Sequence, residues 1–190
     1  GPGPGAARGR EALGMSEPFI VRRIGADAVD AALEPLAEVL LDCVEGGASV
    51  SFMWPLPRER ALAFWRGVAE GVKAGERLLL AGVERSSGRI DGTVQLVLAQ
   101  PENQPHRADL AKMLVHRRAR RAGLAQALLA EAERAAREAG KTLLVLDTVS
   151  GGDAERLYAR CGWQRVGEIP NYALMPDGRL CSTTYFHRQL

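Results

Sequence analysis

Residues Met113 to Gln126, M-L-V-H-R-R-A-R-R-A-G-L-A-Q, set four arginines (Arg117, Arg118, Arg120, Arg121) and Gly123 between an apolar run and an Ala/Leu-rich run. As a helix start this is poor for stability. The positive end of the helix dipole favours Asp or Glu by about 0.3–1 kcal/mol each, and glycine in the first turn costs up to about 1 kcal/mol relative to Ala. Both features make chemical sense around an anion. Free N–H groups at a helix N-terminus hold phosphate oxygens, a missing Cβ lets the ligand approach, and arginines add bidentate contacts. An arginine cluster taken alone is more often a solvated basic turn, and a lone R-x-x-G-x-A pattern recurs by chance. Its place between a buried strand and an apolar-striped helix favours the anion.

The elements that must position this segment follow from periodicity. Phe19–Ile24 reads as a strand, and residues 27–44 carry apolar groups at Val29, Leu33, Leu36, Val39, Leu40 and Cys43, a helical spacing. Residues 46–54 form a loop rich in large apolar groups, and 55–72 a second helix with Pro57 near its start. Strands are expected at 77–83, 90–99 and 108–115, with Ser86-Ser87-Gly88 as a turn. Residues 123–139 form a third helix, capped by Gly140. A buried strand at 142–149, a short helix at 153–161 and closing strands at 163–169 and 181–186 complete the order. The pattern is one α/β domain with a mixed sheet, over residues 18–190. Residues 1–17 read as a disordered leader or an expression remnant, with no apolar segment of a secretory signal.

Composition narrows the function. The chain has 190 residues, 25 basic and 23 acidic. A net charge of +2 argues against a protein that holds nucleic acid by bulk charge. Of the basic residues 22 are Arg and 3 Lys, a bias that codon usage alone produces. No apolar stretch approaches the roughly 18–20 residues of a membrane span. Three widely spaced cysteines (Cys43, Cys161, Cys181) suggest reduced thiols in the cytoplasm. His106, His116 and His187 have no metal-binding spacing, so no metal is expected.

Arg120-Arg121-Ala122-Gly123-Leu124-Ala125 resembles the Q/R-x-x-G-x-G/A motif with which the GNAT superfamily of N-acetyltransferases grips the pyrophosphate of acetyl-CoA. Ala154 to Trp163, A-E-R-L-Y-A-R-C-G-W, is similar to the family's A-x-x-L-Y-x-x-x-G-F segment, with Trp163 for the usual Phe. G-G-A-S-V-S-F-M near residue 50, L-D-T near 147 and P-N-Y-A-L-M-P-D-G-R-L with T-T-Y-F resemble the tabtoxin-resistance type within it. The Asn common seven residues before the tyrosine is Gly151 here, which bears on one cofactor contact.

The resemblance implies a mixed, mostly antiparallel sheet of about seven strands, with helices on both faces, splayed at the cofactor site. It implies acetyl-CoA as cosubstrate, with Met113, Leu114 and Val115 bonding the pantetheine arm through backbone. The diphosphate would lie on the amides of Arg121, Ala122, Gly123, Leu124, Ala125 and Gln126, with Arg120 beside it. Tyr158 is the implied acid for the departing thiolate. The expected chemistry is direct attack by a neutral amine in a ternary complex, which needs a base or a water path. Asp147, closing the apolar run Leu143–Leu146, and Asp109 are the base candidates. Phe52, Met53, Trp54 and Tyr172 are candidates to line the acceptor pocket.

The expected activity is acetylation of a primary amine on a small molecule, amino-acid-like or antibiotic, in a bacterial cytoplasm. No nucleic-acid or membrane partner is expected. Strand edges that often pair in this fold allow a homodimer. Two other readings stay open: acetylation of a protein N-terminus or lysine, and a non-catalytic acyl-CoA-binding module.

Overall fold

A computed structural model describes residues 18–120 and 122–190. The leader expected over residues 1–17, and Arg121 of the basic segment, lie outside the described residues. Seven strands and four α-helices follow in chain order: β1 (Phe19–Ile24), α1 (Leu33–Glu45), α2 (Arg58–Lys73), β2 (Arg77–Glu84), β3 (Ile90–Val97), β4 (Arg107–Val115), α3 (Leu124–Glu138), β5 (Leu143–Val149), α4 (Asp153–Arg160), β6 (Gln164–Leu174) and β7 (Leu180–Gln189). Single 3-10 turns at Asp30–Ala32 and Arg117–Ala119 precede α1 and α3.

The strands form one sheet in the order β1-β2-β3-β4-β5-β7-β6. Only β4 and β5 run parallel, because α3 carries the chain back across the sheet between them. Strand alternation then sorts the core into two layers. Leu79, Ala81 and Val83 of β2 pack with Leu36, Val39, Leu40, Leu62 and Trp65 of α1 and α2. Leu80, with Val94 and Leu96 of β3, faces Leu124, Leu128 and Ala132 of α3 and Leu157 and Tyr158 of α4. The mixed seven-stranded sheet with helices on both faces is thus the observed architecture.

Two boundaries differ from expectation by five residues or more, and the second helix start (Arg58) and the last strand's end (Gln189) by three. The first helix begins at Leu33 rather than at residue 27, after the 3-10 turn. Strand β6 runs to Leu174, so Tyr172 lies in a strand and not in the final loop. Pro170 is accommodated because β6 is an outer strand of the sheet, where a residue without an N–H is tolerated. The ladder is also irregular between Ile169 and Ala173.

Strand β4 carries the irregularity that matters most. Its ladder with β3 shifts register between Leu114 opposite Thr93 and Ala111 opposite Gln95, and Lys112 has a left-handed backbone (φ 54°). The bulge reverses alternation: Ala108 and Leu110 face the α3 side, whereas Leu114 past the bulge faces α1 and α2.

Candidate active site

The parallel ladder between β4 and β5 covers only Arg107–Asp109 against Leu143–Val145. Beyond it the strands diverge, and residues 110–115 have no ladder partner on β5. Leu144 and Leu146 of β5 point toward α3 and α4, so Asp147 lies on the opposite face. Tyr185 of β7 stands directly across from Asp147. Thr183 Oγ1 donates to Asp147 Oδ2 at 2.7 Å, and the hydroxyls of Tyr172 and Tyr185 meet at 3.1 Å. Asp109 shares this face, held by Arg107 and by Gln100 Nε2 at 3.3 Å. The bond with Tyr172 foremost, then burial and the nearby Asp147 and Asp109, push the Tyr185 phenol up to about 12. Asp109, Asp147 and Tyr172 therefore share one wall.

Phe52 and Trp54 are placed differently. Phe52 packs edge-on against Phe64 of α2, with ring centroids 5.3 Å apart, at the side of this face. Trp54 donates its backbone N–H to Pro176 at 3.1 Å and lines a cavity of about 240 Å³ with Val44, Met175, Asp177 and Arg179. That cavity contains neither aspartate. A larger one, about 550 Å³ between β1, β2 and α1, contains none of the expected site residues.

On the other side of the sheet, Gly123 precedes α3 with φ 79° and no described side chain caps the helix. A Cβ at Gly123 would meet nothing within 4 Å, so backbone conformation, not packing, requires glycine there. The first turn contains no acid, and the N–H groups of Leu124, Ala125 and Gln126 have no acceptor within the helix. Leu124 fixes the height of this turn. Its methyls fill a socket made by Gly82 and Gly92, paired across β2 and β3, where added Cβ atoms would fall 2.3 and 3.0 Å from Leu124 carbons.

Two of the four arginines are not available to an anion. Arg117 donates from its backbone N and from Nε to Asp42 of α1, both at 2.9 Å. Arg118 donates to Asp91 Oδ1 at 2.6 Å, to Glu38 at 3.1 Å and to the Ile90 carbonyl at 3.0 Å. They brace the turn and neutralise its charge, so the local concentration of positive charge read from the sequence is halved. Arg120 Nε lies 3.4 Å from the Val115 carbonyl and has no acidic partner among the described residues. His116 caps the same turn, its Nδ1 accepting from Arg118 N at 3.1 Å, and burial lowers its pKa.

The sequence model of the Acetyltransferase (GNAT) family matches residues 36–163. The chain belongs to the GNAT acetyltransferase family. It is 35% identical over 117 residues to an uncharacterized N-acetyltransferase from the hisH-hisA intergenic region of Azospirillum brasilense, covering 60% of this chain and 67% of that one. A GCN5-related N-acetyltransferase from Kribbella flavida superposes with a TM-score of 0.74 at 21% identity, over 92% of this chain and 99% of that one. The structure of yncA from Salmonella typhimurium with its cofactor acetyl-CoA gives 0.70 at 19% identity, over 91% and 94%.

Within this GNAT fold, Tyr158 of α4 is 3% exposed, its ring among Trp163 and Phe186 with centroids 5.7 and 5.9 Å away. Burial pushes its phenol well above the ordinary value. Gly151, where the family commonly has Asn, adopts φ 81°. Left-handed backbone suits Gly and Asn alike, which explains the exchange. Two cleft residues were not foreseen from the sequence, Lys112 and Tyr185. Tyr185 was detectable in principle as the strand partner of Asp147, once β5 and β7 are paired.

Replacing Gly123 by Val tests the helix start. A β-branched residue at φ 79° is strained, and its side chain fills the open approach to the α3 amides. The expected result is a KM for acetyl-CoA raised at least about tenfold, with about 1–3 kcal/mol lost in stability. An unchanged KM would remove this turn as the cofactor's seat.

Proposed function

We propose that this GNAT acetyltransferase moves the acetyl group of acetyl-CoA to a primary amine of a small molecule, amino-acid-like or antibiotic, by direct attack in a ternary complex. The observation that carries the reading is the divergence of β4 and β5. It leaves an edge of β4 with no ladder partner on β5 and sets Asp109 and Asp147 on one face beside the gap.

The residues present fit the cofactor. Met113, Leu114 and Val115 would hold the pantetheine arm by the edge of β4 that has no ladder partner on β5, and the amides of Arg121 to Gln126 the diphosphate, with Arg120 alongside. Acetyl-CoA supplies a thioester carbonyl open to attack by a neutral nitrogen. Asp147 takes the proton that makes the amine neutral: Thr183 fixes its Oδ2, and Oδ1 has no hydrogen bond among the described residues. Asp109 is already matched with Arg107, so it attracts the cationic amine rather than accepting its proton. Tyr158 Oη gives its proton to the departing sulfur as the C–S bond breaks, and the proton that the newly acylated nitrogen sheds restores the phenol. Burial keeps that phenol protonated at neutral pH.

Thiol release from acetyl-CoA, measured against amino acids, aminoglycosides, polyamines and peptides, tests this. Release with at least one small amine is expected. Tight CoA binding with no release from any amine overturns it, and release with peptides alone reassigns the acceptor.

A further inference from the structure

Among the described residues, three non-glycine residues have left-handed backbone: Ser51 (φ 79°), Lys112 (φ 54°) and Asn171 (φ 54°). All three are tied, directly or through a neighbour, to the face that carries Asp147 and Tyr185. Lys112 is the bulged residue of β4. Ser51 accepts its Nζ hydrogen bond at 2.9 Å. Asn171 precedes Tyr172, whose hydroxyl meets that of Tyr185. Left-handed backbone at non-glycine residues is a strain that clusters where chains bind ligands.

The bulge turns Lys112 toward α2, where its Nζ lies 6.0 Å from the centre of the Phe64 ring. No carboxylate pairs with it among the described residues. Burial lowers its pKa, Asp147 opposes that shift, and Arg77 adds a second positive charge nearby. Behind it, Gln95 is fully buried opposite Ala111. Arg77 Nη1 donates to Gln95 Oε1 at 2.9 Å, while Gln95 Nε2 has no partner among the described residues. Buried charges are ordinarily paired, and the Lys112 ammonium has a hydroxyl and a ring face but no acid beside it among the described residues. This cleft has a positive pole at Lys112, and a negative pole at Asp147 and Asp109.

We propose that Lys112 binds an oxyanion of the acetyl acceptor, so that the acceptor is an amine that also carries an acid group. The two sources of that oxyanion are a carboxylate and a phosphorus acid. The proposal rests on the reading of this cleft as the acceptor site: the amine is drawn to the aspartates and the acid group to Lys112. It makes Lys112 a specificity residue, with no part in the proton transfers.

The test compares kcat/KM for amino acids, their carboxamides and aminophosphonates, in the parent, Lys112→Met and Lys112→Arg. The parent is expected to favour acid over carboxamide by about tenfold or more, as a charge-assisted hydrogen bond warrants. In Lys112→Met that ratio falls to near one, chiefly through a raised KM for the acid, and Lys112→Arg retains most of it. The aminophosphonate arm separates the two oxyanions. Thermal melts check folding, since neither replacement changes the demand for a left-handed residue. Equal preference in the parent, or equal losses on acid and carboxamide in Lys112→Met, overturns the proposal. Turnover confined to polyamines or peptides overturns it while leaving acetyl transfer standing. If no amine is turned over, the underlying acceptor reading fails. Calorimetric titration of the CoA-loaded protein with the same amino acids then decides for Lys112: binding that Lys112→Met abolishes upholds the anion site, and binding absent or unaltered refutes it.

Discussion

Tyr158→Phe is expected to lower kcat by about 100-fold or more, within the range general acids contribute, and to leave the KM for acetyl-CoA within about threefold. The substitution isolates one oxygen. Tyr158 is enclosed by Trp163 and Phe186, and Phe keeps every ring contact, so the melting temperature should move little. The pH profile gives a second readout. A phenol whose pKa burial raises above the ordinary value of about 10 stays protonated throughout the neutral range. It therefore contributes no loss of rate as pH rises toward 10, and any alkaline limb belongs to another group. A kcat within threefold of the parent would make Tyr158 a core residue only.

The contrast between Tyr158 and Lys112 shows what the sequence makes legible. The Arg120–Ala125 motif and the Tyr158 segment were readable because each is a local run in one strand-to-helix or helical stretch. Lys112 was not. Its orientation depends on the bulge, and the bulge exists only in the pairing of β4 with β3. On strict alternation it would have faced α3 with Leu110, where a charge has no place. Tyr172 lies beyond the strand expected at 163–169, because the continuation through Pro170 is acceptable only on an outer strand, and strand order is a property of the sheet.

The arginines make the same point about partners. Four cations in five residues look like a binding site when only neighbours in sequence are counted. The acids that neutralise two of them lie 75 residues away for Arg117 and 27 for Arg118. What remains for an anion among the described residues is the uncapped helix start with Arg120, which is less charge and more backbone than the sequence implied. Binding that rests on backbone N–H groups should depend on how firmly the turn is held. The residues that hold it lie outside the site.

Asp91 is the strongest of these. It is 5% exposed and accepts from Arg89 Nε at 2.8 Å and Arg118 Nε at 2.6 Å, while its backbone carbonyl accepts from His116 N at 2.8 Å. Asp91→Ala is expected to cost about 1.5–3 kcal/mol, the range for hydrogen bonds to a charged group. The cost is no larger because Arg89 keeps Glu84 and Arg118 keeps Glu38. Denaturant unfolding measures the loss. Because Arg118 sits in the turn that leads to Gly123, the KM for acetyl-CoA should rise about threefold or more in the same variant. A merely structural residue elsewhere would lose stability without that change. The pH dependence carries a definite sign. Burial would raise the Asp91 carboxyl, but the bonds from Arg89 and Arg118 prevail and hold it below the ordinary value. A carboxylate depressed in the folded state contributes stability that is present above its unfolded pKa of about 4 and is lost as pH falls through the folded value. The gap between parent and Asp91→Ala should therefore be full at neutral pH and close as pH drops below about 4. A gap that persists unchanged to pH 2.5 would mean that Asp91 holds the turn by shape, and that its charge is incidental to the cofactor site.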